Sequence, residues 1–120
     1  MNKKKVFIAD DDPAICESMS MILEDEGYDV TTTTEGEVVS KITAALPDII
    51  LLDIWMSGVD GRDVCQHLKY EKKTKQIPVI MISANKDTEQ IANNCGADGF
   101  LAKPFDMNDL LAIVKKYTSK

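Results

Sequence analysis

The sequence predicts an α/β domain, with helices on both faces of a doubly wound parallel sheet of five strands. Two observations support this fold class: short apolar runs alternate with helical patterns along the chain, and most of the runs are continuously apolar. Continuous apolar runs are typical of strands buried on both faces, and alternating strands and helices form right-handed βαβ units. Because 120 residues suit one core, we expect a single (βα)5 domain over residues 1–120.

The predicted strands differ in polarity. Four apolar runs predict interior strands: KVFIAD (5–10), DIILLD (48–53), PVIMIS (78–83) and GFLAK (99–103). The fifth run, YDVTTTT (28–34), is more polar and rich in threonine. Such a composition is expected for a strand at the edge of a sheet.

Helical patterns fill the intervals between the strands, at residues 13–26, 35–45, 60–71, 86–95 and 106–118. Asp12 is suited to cap the first helix, with Pro13 in the first helical position, and Asp106 is suited to cap the last. Gly27 and Gly96 suit the positions that follow a helix.

Composition and charge exclude several classes of protein. The net charge of −6 argues against sequence-independent nucleic-acid binding, which needs a basic surface, so we expect no direct contact with nucleic acid. No apolar stretch approaches the roughly 20 residues of a membrane span, and the run after MNKKK is too short for a signal peptide. We therefore expect a cytoplasmic protein without membrane contact.

Cysteine and histidine give no sign of a transition-metal site. Cys16, Cys65 and Cys95 form no CxxC pair, so we expect reduced and largely buried thiols. The single histidine, His67, has no second histidine or nearby cysteine, which argues against zinc or copper. We expect His67 on a solvated helix face.

Polar residues stand at the carboxyl ends of four predicted strands. The first strand ends in Asp10, Asp11 and Asp12, the third in Asp53, the fourth in Ser83 and the fifth in Lys103. Open parallel sheets bind ligands outside the carboxyl ends of their strands, near the point where the strand order reverses. We therefore expect these side chains to meet at one edge of the sheet.

The chemistry of these residues suits a hard cation and a phosphoryl group. Neighbouring carboxylates repel each other unless a cation intervenes, and Mg²⁺ prefers such oxygen ligands, with Mn²⁺ as an alternative. A hydroxyl and an ammonium can orient a phosphoryl group, and a carboxylate can accept one as an aspartyl phosphate. Simpler interpretations stay open: the three acids before Pro13 as a helix cap, Ser83 as a strand-end hydroxyl and Lys103 as a surface lysine.

Four ordered motifs, VFIADDDP, LLDIWMSGVDG, MISA and GADGFLAKPF, resemble those of the receiver domain of two-component response regulators. The resemblance covers essentially the whole chain and implies a flavodoxin-like sheet of order 2-1-3-4-5. It implies a phosphorylation-activated switch, either a single-domain regulator of the chemotaxis or phosphorelay type or part of a longer regulator. The implied partners are a sensor histidine kinase or histidine phosphotransfer protein and a downstream protein target. We expect a monomer before phosphorylation.

The resemblance implies roles for the acidic residues. Asp53 is the implied phosphoacceptor, and the donor is a phosphohistidine of the partner protein. By the same resemblance, Asp10 and Asp11 form the acidic pair that holds Mg²⁺, with Asp11, Asp53 and the backbone carbonyl of Trp55 as the implied direct ligands. Phosphorylation then shifts the surface formed by residues 83–105 and so controls the downstream protein.

The resemblance also assigns the groups that contact the phosphoryl group and respond to it. The side chains of Ser83 and Lys103 and the backbone of Ala84 make the implied contacts. Ser83 and Phe100 are the implied switch residues, and Phe100 stands where the family often has tyrosine. A cis peptide bond between Lys103 and Pro104 is implied as well.

Other positions distinguish this chain from the usual family pattern. We expect the Trp55 indole to shield the acyl phosphate and slow its hydrolysis, with Asn85 as its partner in this tuning. Ile15 is a candidate contact for the partner's histidine-bearing helix, although it also fits the apolar face of the first helix. Ser57 replaces a usual proline, and Ile113 stands where one DNA-binding subfamily has arginine, which makes dimerisation through that charged face doubtful.

An enzyme is the main alternative. The spacing of Asp10 and Asp12 also fits a haloacid-dehalogenase-like phosphatase, with Asp10 as nucleophile and Asp12 as acid, but this leaves Asp53 without a role. A flavodoxin-like cofactor binder would need a glycine-rich loop after the first strand, and a pseudo-receiver would not need the complete set of polar groups. We therefore expect a phosphoacceptor that assists its own phosphorylation and dephosphorylation, and not an enzyme in the ordinary sense.

Overall fold

The computed structural model describes residues 3–34, 42–44, 46–56, 58–84 and 86–119. The strands are β1 (Lys5–Ala9), β2 (Asp29–Thr33), β3 (Ile49–Asp53), β4 (Trp55–Met56), β5 (Val59–Asp60), β6 (Val79–Ser83) and β7 (Gly99–Ala102). The helices are α1 (Pro13–Asp25), α2 (Gly61–Tyr70), α3 (Thr88–Cys95) and α4 (Met107–Thr118), and residues 42–44 are also helical. The other residues of the helix predicted over 35–45 lie outside the described residues.

Five strands form one parallel sheet in the order β2-β1-β3-β6-β7. Counted along the chain within that sheet alone, the order is 2-1-3-4-5, so this prediction is confirmed. β2 lies at one edge with Asp29, Thr31 and Thr32 exposed, in agreement with its polar sequence. β7 lies at the other edge with Phe100 and Ala102 exposed, so the prediction of an interior strand over 99–103 is wrong. The strand order reverses between β1 and β3, and the crevice at their carboxyl ends is where such sheets bind ligands.

The core has two layers, one on each face of the sheet. Phe7 packs in a cluster that includes Leu68 of α2. The next residue, Ile8, points the other way and packs in a second cluster with Leu23 of α1 and Val114 of α4. Because β3 is buried along its whole length, it holds the residue at its carboxyl end rigidly from both faces.

The helix caps agree with the sequence signals. The Asp12 carboxylate accepts the backbone N–H of Ala14 at 2.9 Å, and Asp106 forms a capping box with Asp109. Gly96 has a φ of 84°, the left-handed conformation that favours glycine after a helix. The observed helices are one or two residues shorter than predicted, because the prediction included the flanking cap residues. In the part of the chain that the structure describes, no helix is long and apolar enough to cross a membrane.

A short hairpin after β3 was not predicted from the sequence. Strands β4 and β5 pair antiparallel, with Trp55 opposite Asp60. Gly58, which has a φ of 71°, lies in the turn between them. The hairpin begins two residues after Asp53, so its side chains stand next to the crevice.

Candidate functional site

The carboxyl ends of the sheet strands bring the predicted site residues together. Asp10 follows β1, Asp53 ends β3, Ser83 ends β6 and Lys103 follows β7. The strand register aligns these ends, because Asp53 pairs with Ile82, the residue before Ser83. The Lys103 backbone N–H donates to the Ser83 carbonyl at 2.8 Å. Parallel strands therefore deliver carboxylate, hydroxyl and ammonium groups to one edge.

Three carboxylates form a cluster at this edge. One oxygen each of Asp10, Asp11 and Asp53 lie within 4.8 Å of one another. Asp10 is fully buried and Asp53 is buried, whereas Asp11 is exposed, so the cluster opens to solvent on one side. Asp12 does not belong to it, because its carboxylate caps α1. The acidic run thus serves two purposes, with its third residue as the helix cap and its first two in the cluster.

Lys103 is an integral part of the cluster rather than a surface lysine. Its Nζ lies 2.9 Å from Oδ2 of Asp10 and 3.8 Å from Oδ2 of Asp53. Because Asp10 is fully buried, an unpaired charge there would be costly, and Lys103 offsets it. The peptide bond between Lys103 and Pro104 is cis, as the resemblance implied.

One lysine does not neutralise three carboxylates. Burial raises the pKa of Asp53 to about 6, and the charge of Asp10 acts in the same direction, although Lys103 opposes both. Burial alone would lower the pKa of Lys103, but the hydrogen bond to Asp10 and the charge of Asp53 outweigh it, and the pKa is raised. A divalent cation among these oxygens would favour the ionised carboxylates and relieve the repulsion.

The Trp55 side chain is held by a residue that the sequence prediction missed. The guanidinium carbon of Arg62 lies 4.7 Å from the centroid of the Trp55 ring. Arg62 is oriented by Asp60, whose carboxylate accepts its Nε at 3.0 Å and one terminal nitrogen at 2.8 Å. Trp55 is 53% exposed, so this stacking, rather than burial, orients the indole beside the site. The signal in the sequence was Gly58, which could have indicated a turn that brings Arg62 back to Trp55.

The backbone of the same segment is fixed by a close approach that was also missed. The Gly61 N–H donates to the Ile54 carbonyl at 2.6 Å. A Cβ at Gly61 would collide with the Asp53 carbonyl oxygen and would lie 2.9 Å from the Ile54 Cα. Only glycine allows α2 to begin against the end of β3, and this packing positions the backbone of Asp53.

The remaining predicted residues lie around this cluster. Ser83 is buried and Ala84 is exposed at the end of β6. Phe100 on β7 is partly exposed and lines a shallow groove with Ile113 and Pro104. Of the two predicted tuning residues, Trp55 lies on β4 and Asn85 lies outside the described residues, as does the predicted departure at residue 57.

Ile15 lines an apolar groove that leads to the cluster. The groove has a volume of about 540 Å³ and lies between α1 and the loop before α4. Met19 and Phe105 contribute apolar surface, and Lys103 and Ala84 close the end next to the carboxylates. A partner that docks in this groove would therefore reach the site along α1.

Comparison with known sequences gives a consistent result. A family model of the response regulator receiver domain matches residues 6–115. The chain is 40% identical over 114 residues to the DNA-binding dual master transcriptional regulator RpaA of Synechocystis, and 30% identical over 116 residues to the DNA-binding response regulator MtrA of Mycolicibacterium smegmatis. These matches cover 92% and 94% of this chain but 47% and 50% of the relatives. The chain thus spans about half the length of the curated relatives it matches.

These relatives correct one expectation from the sequence. Both are DNA-binding regulators, which contradicts the expectation of no direct contact with nucleic acid. The net charge of −6 describes this chain alone and carries no information on the half of each relative outside the match. The charge argument was therefore applied too widely.

Solved structures give the same result for the fold. A putative response regulator from Chloroflexus aurantiacus superposes with a TM-score of 0.93 at 28% identity, covering 99% of this chain and 100% of that one. The chemotaxis response regulator CheY4 of Vibrio cholerae superposes with a TM-score of 0.89, also at 28% identity, covering 97% and 99%. Nothing in these comparisons supports the haloacid-dehalogenase-like alternative. The chain belongs to the family of response regulator receiver domains.

Proposed function

We propose that Asp53 is the phosphoacceptor of this receiver domain. The observation that carries the proposal is the convergence of Asp10, Asp11 and Asp53 with the Lys103 ammonium at the carboxyl edge of the sheet. Asp53 ends a fully buried strand, so its carboxylate is held in place without a flexible loop. The domain assists its own phosphorylation and dephosphorylation and is not a turnover enzyme.

We propose Mg²⁺ as the cofactor, with Mn²⁺ as a substitute. Carboxylate oxygens of Asp10, Asp11 and Asp53 within 4.8 Å of one another fit a hard cation that prefers oxygen ligands. The Trp55 carbonyl, two residues after Asp53, is the proposed backbone ligand. When bound, the cation neutralises the charge of the carboxylates and of the phosphoryl oxygens.

The residues of this chain then carry out the transfer. A carboxylate oxygen of Asp53 attacks phosphorus, the P–N bond of the phosphohistidine breaks, and its electron pair returns to the imidazole nitrogen. The Lys103 ammonium shifts from Asp53 toward the phosphoryl oxygens, while the negative charge that Asp53 loses passes to the departing imidazole, which takes up a proton. The Ser83 hydroxyl and the Ala84 backbone N–H donate to the remaining oxygens. Catalysis is positioning and charge stabilisation.

We propose that phosphorylation moves the surface formed by residues 83–105. Ser83 is at its start, and a hydroxyl that turns toward the phosphoryl group vacates space which Phe100 can enter. The intervening helix α3 is weakly anchored, since its buried side chains are small (Thr88, Ala92 and Cys95). Weak anchoring keeps two packings close in free energy, so a local charge can shift their populations.

Further parts of the proposal concern the partner and the location. The apolar groove lined by Ile15 is the proposed docking site for the phosphohistidine-bearing helix, because it ends at Lys103 beside the acceptor. The indole of Trp55 is proposed to shield the acyl phosphate from water. The proposed location is the cytoplasm, as the family implies, with a single receiver domain over residues 1–120.

Phosphorylation by a small acyl phosphate donor tests the acceptor assignment. The wild-type protein should gain one phosphoryl group by intact mass only when Mg²⁺ is present, and peptide mapping should place it on Asp53. Asp53→Asn should gain none. Asp12→Ser is the matched control, because it removes a neighbouring carboxylate outside the cluster and keeps a capping residue. Phosphoryl groups on Asp10, or equal labelling of Asp53→Asn, would refute the assignment.

A further inference from the structure

Two cysteines that the proposed function does not use lie against each other between α2 and α3. Cys65 of α2 is fully buried, and Cys95, the last residue of α3, is 4% exposed. The Cys65 thiol donates to the backbone carbonyl of Cys95 at 3.4 Å, and the Cys95 thiol donates to the backbone carbonyl of Ala92 at 3.5 Å. Both are free thiols. They form a juxtaposed pair that joins two helices of the same layer.

The two thiols differ in reactivity. A hydrogen bond from the Cys65 side chain lowers the pKa of Cys95, and together with the backbone N–H of Ala97 and, to a smaller extent, the charge of Arg62 it outweighs the opposing effect of burial. The same hydrogen bond raises the pKa of Cys65, and burial acts in the same direction. Because the thiolate is the reactive form, Cys95 is the nucleophile and Cys65 the protonated neighbour.

A surface pocket gives access to Cys95. The pocket has a volume of about 260 Å³ and is lined by Cys95, Arg62, Gln66 and Asn94, among others. A molecule of the size of a peroxide fits this space, and its polar walls allow it to enter with its hydrogen bonds satisfied. Cys65 lies behind Cys95 and has no such exposure.

We propose that Cys65 and Cys95 form an oxidation site, at which a hydroperoxide converts the thiol pair into a disulfide between α2 and α3. The Cys95 sulfur attacks one peroxide oxygen, the O–O bond breaks, and the hydroxide that leaves takes up the proton released by Cys95. The Cys65 sulfur then attacks the Cys95 sulfenic acid, the S–O bond breaks, and the Cys65 proton leaves with the hydroxide as water. Two thiols and one hydrogen peroxide give one disulfide and two waters.

The disulfide would restrain α3. The buried side chains of this helix are small and Ile91 packs only partly buried against the core, and the new bond would tie the C-terminal residue of the helix to α2. If the surface formed by residues 83–105 moves on phosphorylation, oxidation limits that movement. This consequence rests on the proposed function, whereas formation of the disulfide does not.

Stoichiometric hydrogen peroxide added to the folded protein tests the site. The wild type and Cys16→Ser should each lose two hydrogen atoms by intact mass, with the peptides that contain Cys65 and Cys95 linked. Cys16 is a suitable control because it lies alone on α1, and burial raises the pKa of its thiol to about 11. Cys65→Ser should stop at a sulfenic acid on Cys95, and Cys95→Ser should react far more slowly than the wild type.

Several results would overturn the proposal. They are a disulfide that includes Cys16, disulfides that form only between molecules, formation of the Cys65–Cys95 disulfide only in denaturant, or equal rates of oxidation in Cys65→Ser and Cys95→Ser. Hydrogen exchange should show slower amide exchange across residues 88–97 in the oxidised wild type, reversed by a reductant. Asp53→Asn should form the Cys65–Cys95 disulfide at the wild-type rate, because the reaction does not use the phosphoacceptor. The disulfide result therefore does not depend on whether the assignment of Asp53 as phosphoacceptor is correct.

Discussion

Asp53→Asn should stabilise the metal-free domain at neutral pH, although it removes the phosphoacceptor. Burial, followed by the charge of Asp10, raises the pKa of Asp53 from 3.8 to about 6. Each pKa unit corresponds to about 1.4 kcal/mol, so the full shift amounts to about 3 kcal/mol. Because the cluster opens to solvent beside Asp11, screening reduces this figure, and we expect asparagine to raise the free energy of unfolding by about 1–2 kcal/mol.

The pH dependence has a definite sign. Asp53 has a higher pKa in the folded state than in the unfolded state, so its ionisation opposes folding. The destabilisation is complete above the folded pKa of about 6 and disappears below the unfolded value of 3.8. Urea unfolding with a chelator should therefore show the full advantage of Asp53→Asn near pH ~7.5, and about a third of it near pH ~4.5.

Mg²⁺ should reverse the order of stability. A cation that binds only the folded state adds about 2.7 kcal/mol at roughly 100 times its dissociation constant, and the wild type should show this gain. Asp53→Asn has lost one ligand and should gain much less. Asp12→Ser, outside the cluster, should respond to Mg²⁺ like the wild type. A variant less stable than the wild type at both pH values, or an equal response of Asp53→Asn to Mg²⁺, would refute this reasoning.

Four further substitutions test the surroundings of the site. Gly61→Ala should lower the free energy of unfolding, measured in urea, by about 1–3 kcal/mol, because the added Cβ collides with the backbone at the end of β3. An unchanged midpoint of the urea unfolding transition would contradict the close approach. Trp55→Asn should shorten the lifetime of the acyl phosphate, measured by loss of the phosphorylated mass. Arg62→Met should also shorten this lifetime and should shift the Trp55 fluorescence emission to longer wavelength, because it removes the stacking partner of the indole. Unchanged lifetimes would exclude shielding. Lys103→Met should destabilise the metal-free domain by about 3 kcal/mol, because it leaves Asp10 buried without its ion pair. Mg²⁺ should recover part of that loss of stability. Equal losses with and without Mg²⁺ would argue against a cation among these oxygens.

Much of the fold was predictable because its determinants are local. Continuous apolar runs identified the three interior strands, and the threonine-rich segment identified one edge strand. The apolar run at 99–103 was wrongly predicted as interior, because its position at the second edge depends on the strand order and not on its own composition. The caps at Asp12 and Asp106 were predictable since a carboxylate binds N–H groups within its own first turn. The helix boundaries were overestimated by one or two residues because a cap residue looks helical in a periodicity pattern.

Contacts across a turn were not predictable in the same way. Arg62 stacks on Trp55 only because β4 and β5 fold back at Gly58, and two-residue strands leave no periodic pattern in the sequence. The requirement for glycine at position 61 has no local signal in the sequence. It comes from the backbone of Ile54, which packs against Gly61 in the folded chain.

The sequence by itself determined which polar groups reach the site edge, because parallel strands all end on the same side and each residue closes its own strand. It did not determine how those groups share their charge. Only the tertiary structure showed that Lys103 pairs at 2.9 Å with the fully buried Asp10 and lies farther, at 3.8 Å, from Asp53. It also separated Asp12 from the cluster and placed Cys65 against Cys95. Pairing and burial depend on distances between segments remote in the chain, and these distances are set by packing.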